Sequence, residues 1–178
     1  MDEKERKQKY RTELLTAGMV LGLAMTGVLV LQYLLRGVRI GWVGMLLSLA
    51  GFAVTAAVLV GYGRRAAALC PPDERRPEGF TYGRAFGFSL LVCLLGGVIY
   101  GAGYFVMAEA VDPAYFGQII DQVVRLYIES GLMTQAQAEL TAAAMHNLLM
   151  VILGYVLAMA LQGGFVALFT AAIVRRRA

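Results

Sequence analysis

The chain has 178 residues, of which 59% are hydrophobic and 16% charged, with sixteen Lys and Arg against twelve Asp and Glu. A mean hydropathy of +0.66 sets it apart from a soluble domain of this size, and its length leaves room for a single domain. A soluble helical bundle would need polar positions recurring every three or four residues. Four long stretches of this sequence have none, and they exclude that class.

Those stretches are Leu14–Leu35, Ile40–Gly63, Ala85–Ala108 and Leu148–Val174, and none contains an Asp, Glu, Lys or Arg. At about 1.5 Å of rise per residue, each reaches across a hydrocarbon core of roughly 30 Å as a helix. The expected fold is therefore all-α: an integral membrane four-helix bundle, with an amphipathic helical loop on the extracytoplasmic side. The first stretch follows Lys4, Arg6, Lys7, Lys9 and Arg11, as a signal peptide would. It is longer than the usual apolar core of one, and Gln32-Tyr33-Leu34-Leu35-Arg36 offers no small-x-small cleavage site, so a retained helix is expected.

Thirteen of the sixteen basic residues fall on one side of this plan. Five are in the N-terminal tail. Five more (Arg64, Arg65, Arg75, Arg76, Arg84) are in the second connection, and Arg175, Arg176 and Arg177 end the chain. The other side has Arg36, Arg39 and Arg125. Basic residues near membrane ends are retained on the cytoplasmic side, so both termini are expected there, in a bacterial inner membrane. The net charge of +4 is split among three flanks, which suits anionic lipid headgroups and not nucleic acid.

Along the chain, Arg36-Gly37-Val38-Arg39 makes a tight turn between the first two spans. Residues 64–84, with Cys70-Pro71-Pro72-Asp73 and Arg76-Pro77-Glu78-Gly79, read as a polar, helix-breaking linker. Thr81 is positioned to cap the third span. In residues 111–147, Asp112-Pro113 marks a helix start, with Phe116, Ile119, Ile120, Val123 and Tyr127 on one face. Gln118, Asp121, Gln122, Arg125 and Glu129 fall on the other, the pattern of an amphipathic helix. Gly131 ends it. Thr134-Gln135-Ala136-Gln137 has capping-box spacing for a second helix, expected to run through Met145 into the fourth span. The apolar face of the first is expected to pack on the bundle or on lipid, or to dock a partner.

Spans hold together in lipid through small residues and polar contacts. Four seams at intervals of four offer themselves: Gly18/Gly22/Thr26, Gly44/Ser48/Gly51/Thr55, Ser89/Cys93/Gly97/Gly101 and Gly154/Ala158. Packing within the chain is the expected use, with self-association the alternative.

Chemistry is thinly represented. Cys70 in a loop and Cys93 at mid-span stand too far apart for a disulfide, and one histidine makes no zinc set. No charged residue lies within a span, which argues against a proton relay. No nucleophile motif or carboxylate pair occurs either, so no enzyme, catalytic residue, metal or cofactor is expected. Three polar positions remain as candidates. Gln162, before Gly163-Gly164, is placed for an interhelical hydrogen bond or a substrate contact at a helix break. Glu109 and His146 fall at the outer ends of their spans. They are placed to pair with each other, or Glu109 with Arg36 or Arg39, as an interfacial clamp or a pH-responsive contact.

The layout resembles the bacterial domain of unknown function 4199 family. The resemblance rests on Thr81-Tyr82-Gly83-Arg84-Ala85-Phe86 opening the third span and Asp112-Pro113 after it. It also rests on the stretch with Gly131 and Met133 before the fourth span, and on the short basic C-terminus. It implies four transmembrane helices and no assigned activity, so it carries over no catalytic residue. The expected function is a non-enzymatic accessory or scaffold protein, with a membrane-protein partner or a homo-oligomer. The alternative is a small oligomeric pore or transporter for a neutral solute.

Overall fold

Asp2 accepts a hydrogen bond from the Glu3 amide and opens α1, Glu3–Leu34. The computed structural model describes residues 2–37, 41–71 and 79–174. The basic N-terminal tail is thus part of the first helix, in one unbroken run with the span. Its charges alternate in sign at helical spacing, with Lys7 to Glu3 at 2.8 Å and Lys9 to Glu5 at 3.0 Å. Such pairs favour helix by a few tenths of a kcal/mol each. A short 3-10 turn, Leu35–Gly37, ends α1.

The remaining helices are α2 (Gly41–Ala68), α3 (Tyr82–Val106), α4 (Pro113–Glu129), α5 (Gln135–Met145) and α6 (Leu148–Val174). A π-helical turn, Met107–Val111, extends α3. Four of the helices, α1, α2, α3 and α6, are long and apolar enough to cross a membrane. The fold is all-α, and among the described residues there is no strand.

Two boundaries differ from the sequence reading. Helix α2 does not stop at Gly63: it continues through Arg64 and Arg65 to Ala68, because Ala66 and Ala67 are buried and pull its last turn onto the bundle. The linker is correspondingly shorter. Arg39, Asp73, Glu74, Arg75, Arg76 and Arg175 to Arg177 lie outside the described residues, as do the prolines at 72 and 77. Helix α5 does not run into α6 either. The Asn147 side chain accepts hydrogen bonds from the amides of Leu149 and Met150, at 3.0 and 3.3 Å, which caps α6 afresh and breaks the chain at His146–Asn147.

The caps expected at Thr81, Asp112 and Thr134 all form, the last as a full capping box with Gln137. Gly131 takes φ +73°, the left-handed conformation that ends α4 after Ser130. The amides of Gly131 and Leu132 return to the carbonyls of Ile128 and Tyr127, at 3.0 Å each.

Helix α3 sits between α1 and α6 and packs along both. Glycines set these approaches. A Cβ on Gly18 would stand 2.6 Å from Leu95 Cβ, and one on Gly22 would stand 2.6 Å from Ile99 Cβ. On the other flank, a Cβ on Gly97 would stand 2.7 Å from Val156 Cα, and one on Gly101 2.9 Å from Ile152 Cα. Cys93 fills the hollow over Gly163, where a Cβ would lie 2.0 Å from its sulfur. These distances are shorter than carbon contacts permit, so the helices meet backbone to side chain, the close packing that holds spans together in lipid.

The other expected seams are only partly used. Gly51 and Thr55 of α2 face Met25, and Thr55 is fully buried, its hydroxyl bonded to the Gly51 carbonyl at 2.9 Å. Gly44 and Gly154 have nothing within 4 Å of a Cβ, and Ser48 and Ala158 are exposed. The face that α6 turns to α3 carries Met159, Gly163 and Val166 instead, roughly a third of a turn or more away from Gly154.

Candidate functional site

The polar groups of the molecule's α1–α2 turn end converge on the junction of α3 and α4. The Val111–Asp112 step leaves helical geometry, with Asp112 at φ −149° and ψ 75°, and Pro113 starts α4 where its missing amide costs nothing. One Asp112 carboxylate oxygen accepts the Tyr115 amide at 3.1 Å as a helix cap. The other accepts the Tyr33 hydroxyl at 3.0 Å and the Arg36 guanidinium at 2.5 Å. The guanidinium also lies over the rings of Tyr33 and Tyr115, 4.2 and 4.9 Å from their centroids. Arg36, ahead of the Tyr115 amide, holds the Asp112 carboxyl below the usual carboxylate range.

Below this clamp, Phe116 of α4 is buried against Leu29, Met107 and Ala108. Its ring stacks on Tyr33 at 6.1 Å between centroids and meets Tyr104 edge-on at 5.3 Å. Tyr104 continues to Tyr155 of α6, and Tyr155 to Tyr100. An aromatic chain thus links α1, α3, α4 and α6.

Glu109 lies in the π-helical turn, whose defining bond runs from the Asp112 amide to the Met107 carbonyl at 3.1 Å. The wider turn inserts a residue into the helical register. Glu109 Oε1 stands 2.8 Å from His146 Nδ1. Of the partners the sequence offered, Glu109 therefore meets His146, while Arg36 is taken by Asp112. The His146 side chain is exposed, and such exposed pairs contribute at most about 1 kcal/mol.

Gln162 is remote from this cluster. It is half-buried on α6 beside Gly163, and among the described residues its amide makes no side-chain hydrogen bond. So the structure brings Glu109 and His146 together and keeps Gln162 apart. Cys70 and Cys93 are both free thiols. Among the described residues, no group of three or more His, Cys, Asp or Glu gathers as a metal ion would require.

The contacts of Asp112 with Tyr33 and Arg36 were not legible in the sequence, which showed it only as a cap. Tyr33 and Arg36, three apart at the end of an apolar run, were a signal for one cation–π unit. Nothing local says that this unit reaches a carboxylate 76 residues away.

Comparison with curated proteins and with solved structures returns no match. A family model, described as a protein of unknown function (DUF4199), matches residues 16–176. That span takes in α1 from Thr16 onward, the other three apolar helices, the Asp112 clamp and the Glu109–His146 pair, and the chain belongs to this family.

Proposed function

We propose that this is a multi-pass protein of a bacterial cytoplasmic membrane, with both termini on the cytoplasmic side, that serves as a non-enzymatic accessory or scaffold subunit. The asymmetry of its basic residues supports the orientation. Two small-residue faces carry the scaffold reading. Among the described residues, Gly44 on α2 and Gly154 on α6 have nothing within 4 Å of a Cβ, and Ser48 and Ala158 beside them are exposed, although Gly18, Gly22, Gly97 and Gly101 on α1 and α3 are closely packed. Small faces of this kind let another helix approach its backbone within a bilayer.

Gentle extraction from native membranes followed by intact-complex mass measurement tests this. A stoichiometric second protein, lost on Gly154→Ile, supports the subunit reading. A monomer that ignores the substitution ends it.

The amide of Gln162, which makes no side-chain hydrogen bond among the described residues, favours a second reading, a small oligomeric pore for a neutral solute. Cysteine scanning around Gln162 with a water-soluble thiol reagent, after Cys70 and Cys93 are replaced, separates the two. Labelling at successive depths supports the pore, and uniform protection supports the scaffold.

A further inference from the structure

One apolar stripe runs the length of α4, fully buried at Phe116, partly buried at Ile119 and Ile120, and exposed from Val123 onward along that face. Phe116, Val123 and Tyr127 recur at helical spacing on one side of the helix. Phe116 is 2% exposed, whereas Val123 and Tyr127 are 44% and 45% exposed. The stripe then continues past the Gly131 turn. Leu126, before that turn, is 63% exposed, and Leu132 and Leu140, after it, are 75% and 72% exposed. Among the described residues, the backbone of α4 comes near only the π-helical turn and α5, and that of α5 only α4 and α6. The hairpin is thus held at its two roots, by Asp112 on Arg36 and His146 on Glu109.

The level of those roots says what covers the rest. Asp112 reaches Arg36 in the 3-10 turn after α1, yet Phe116, one turn later, packs on Leu29 and Tyr104, about two turns before Gly37 and Val111, where the 3-10 and π-helical turns end. Helix α4 therefore begins against the spans and not beyond them. Its stripe starts at the depth where the spans are still apolar. At the other root, α6 opens with the exposed apolar residues Leu148, Leu149 and Met150.

The charges narrow the choice further. Asp121, Glu129 and Glu139 outnumber Arg125, so anionic headgroups would not attract this hairpin. We infer that α4 and α5 lie in the outer interface of the bilayer, with Val123, Leu126, Tyr127, Leu132 and Leu140 in the boundary of a zwitterionic lipid surface. The helices are held there by their roots and not by electrostatic attraction. This rests on the membrane reading above.

The test uses the full chain, with Cys70→Ser and Cys93→Ala, carrying one environment-sensitive thiol fluorophore at a time. The sites are Leu126→Cys, Leu132→Cys, Leu140→Cys, Glu129→Cys and the mid-span Leu157→Cys. The protein is placed in phosphatidylcholine vesicles, and quenching by brominated phosphatidylcholine is compared with quenching by iodide. The expected result is loss of fluorescence to bromolipid, with protection from iodide, at 126, 132 and 140, and the reverse at 129. Adding anionic lipid should change neither. If position 157 responds to bromolipid while 126, 132 and 140 respond to iodide, the hairpin stands in water and the inference is overturned. If those three are shielded from both quenchers, a protein surface covers them, with the same consequence. If 157 itself fails to respond to bromolipid, the membrane reading has failed instead.

Discussion

Helices α2 and α3 are equally apolar and both long enough to span a bilayer, yet 39% of the residues in the most apolar stretch of α3 are buried, against 17% in α2. Hydropathy cannot be the reason. The difference is where small residues meet a partner. In α3, Gly97 and Gly101 on one flank and the hollows over Gly18 and Gly22 on the other let two helices approach within contact of backbone atoms. In α2, Gly51 and Thr55 meet Met25 at mid-helix, and Gly63 meets Val174 near the end, while no described residue comes within 4 Å of a Cβ on Gly44. The same residue type at the same spacing is thus a packing surface in one helix and an open face in the other. In lipid, apolarity decides that a helix inserts, and the small-residue contacts decide which neighbour it keeps.

The sharpest way to break this contrast is to make the same substitution in both helices. Gly97→Ile forces a branched side chain into the space held by the Val156 backbone, which cannot yield as a flexible side chain would. The expected cost is about 3 kcal/mol or more, read as a large drop in thermal unfolding midpoint in detergent. Gly44→Ile should leave that midpoint unchanged, because a side chain there enters open space. Equal effects at the two positions would refute the account of α3 as the packed centre.

A smaller effect is expected at the sulfur contact. Gly163→Ala collides with the Cys93 side chain and should destabilise by about 1–3 kcal/mol. Cys93→Gly removes both the sulfur and the Cβ that lies 2.7 Å from the new methyl group. The double variant should therefore cost less than the two single changes added together, by about 0.5–3 kcal/mol in a double-mutant cycle. Strict additivity would mean that α3 and α6 do not meet there.

The smallest effect concerns the root of α4. Asp112→Asn keeps a cap acceptor but loses the charge that Arg36 meets. The packed spans should keep their unfolding midpoint, while amide exchange rises in the first turn of α4. Acid should do the same to the unaltered protein. The carboxyl is held below its ordinary value in the folded chain, so its contribution is complete above the unfolded value of about 3.9 and is lost as pH falls through the lower folded one. Exchange in that turn should stay flat from neutrality down to about pH 4 and rise below it. A rise beginning near neutrality would assign the transition to another group.

Much of the fold was legible because its signals are local. Asp112 before Pro113, the Thr134–Gln137 box and Gly131 at φ +73° each act within four residues, and each forms where the pattern places it. Other features were not legible because they depend on what stands opposite. The extension of α2 to Ala68 depends on a surface for Ala66 and Ala67 to bury against, and no propensity reports that. The break at His146–Asn147 rests on a single side-chain cap. Of the candidate positions, Glu109 and His146 could be paired on paper because both fall at the outer end of a span. Gln162 could be placed at mid-helix but given no partner.

Four charge-free apolar runs, the caps at Thr81, Asp112 and Thr134 and the basic asymmetry of the flanks are written in the sequence, since insertion, capping and charge retention each depend on short runs of residues. Only the tertiary structure decided which glycines are contacts, that Arg36 belongs to Asp112 and that Cys93 sits on Gly163. Those outcomes depend on the relative rotation and depth of helices far apart in the chain. Shape fit between whole helix faces sets these, and no local pattern encodes it.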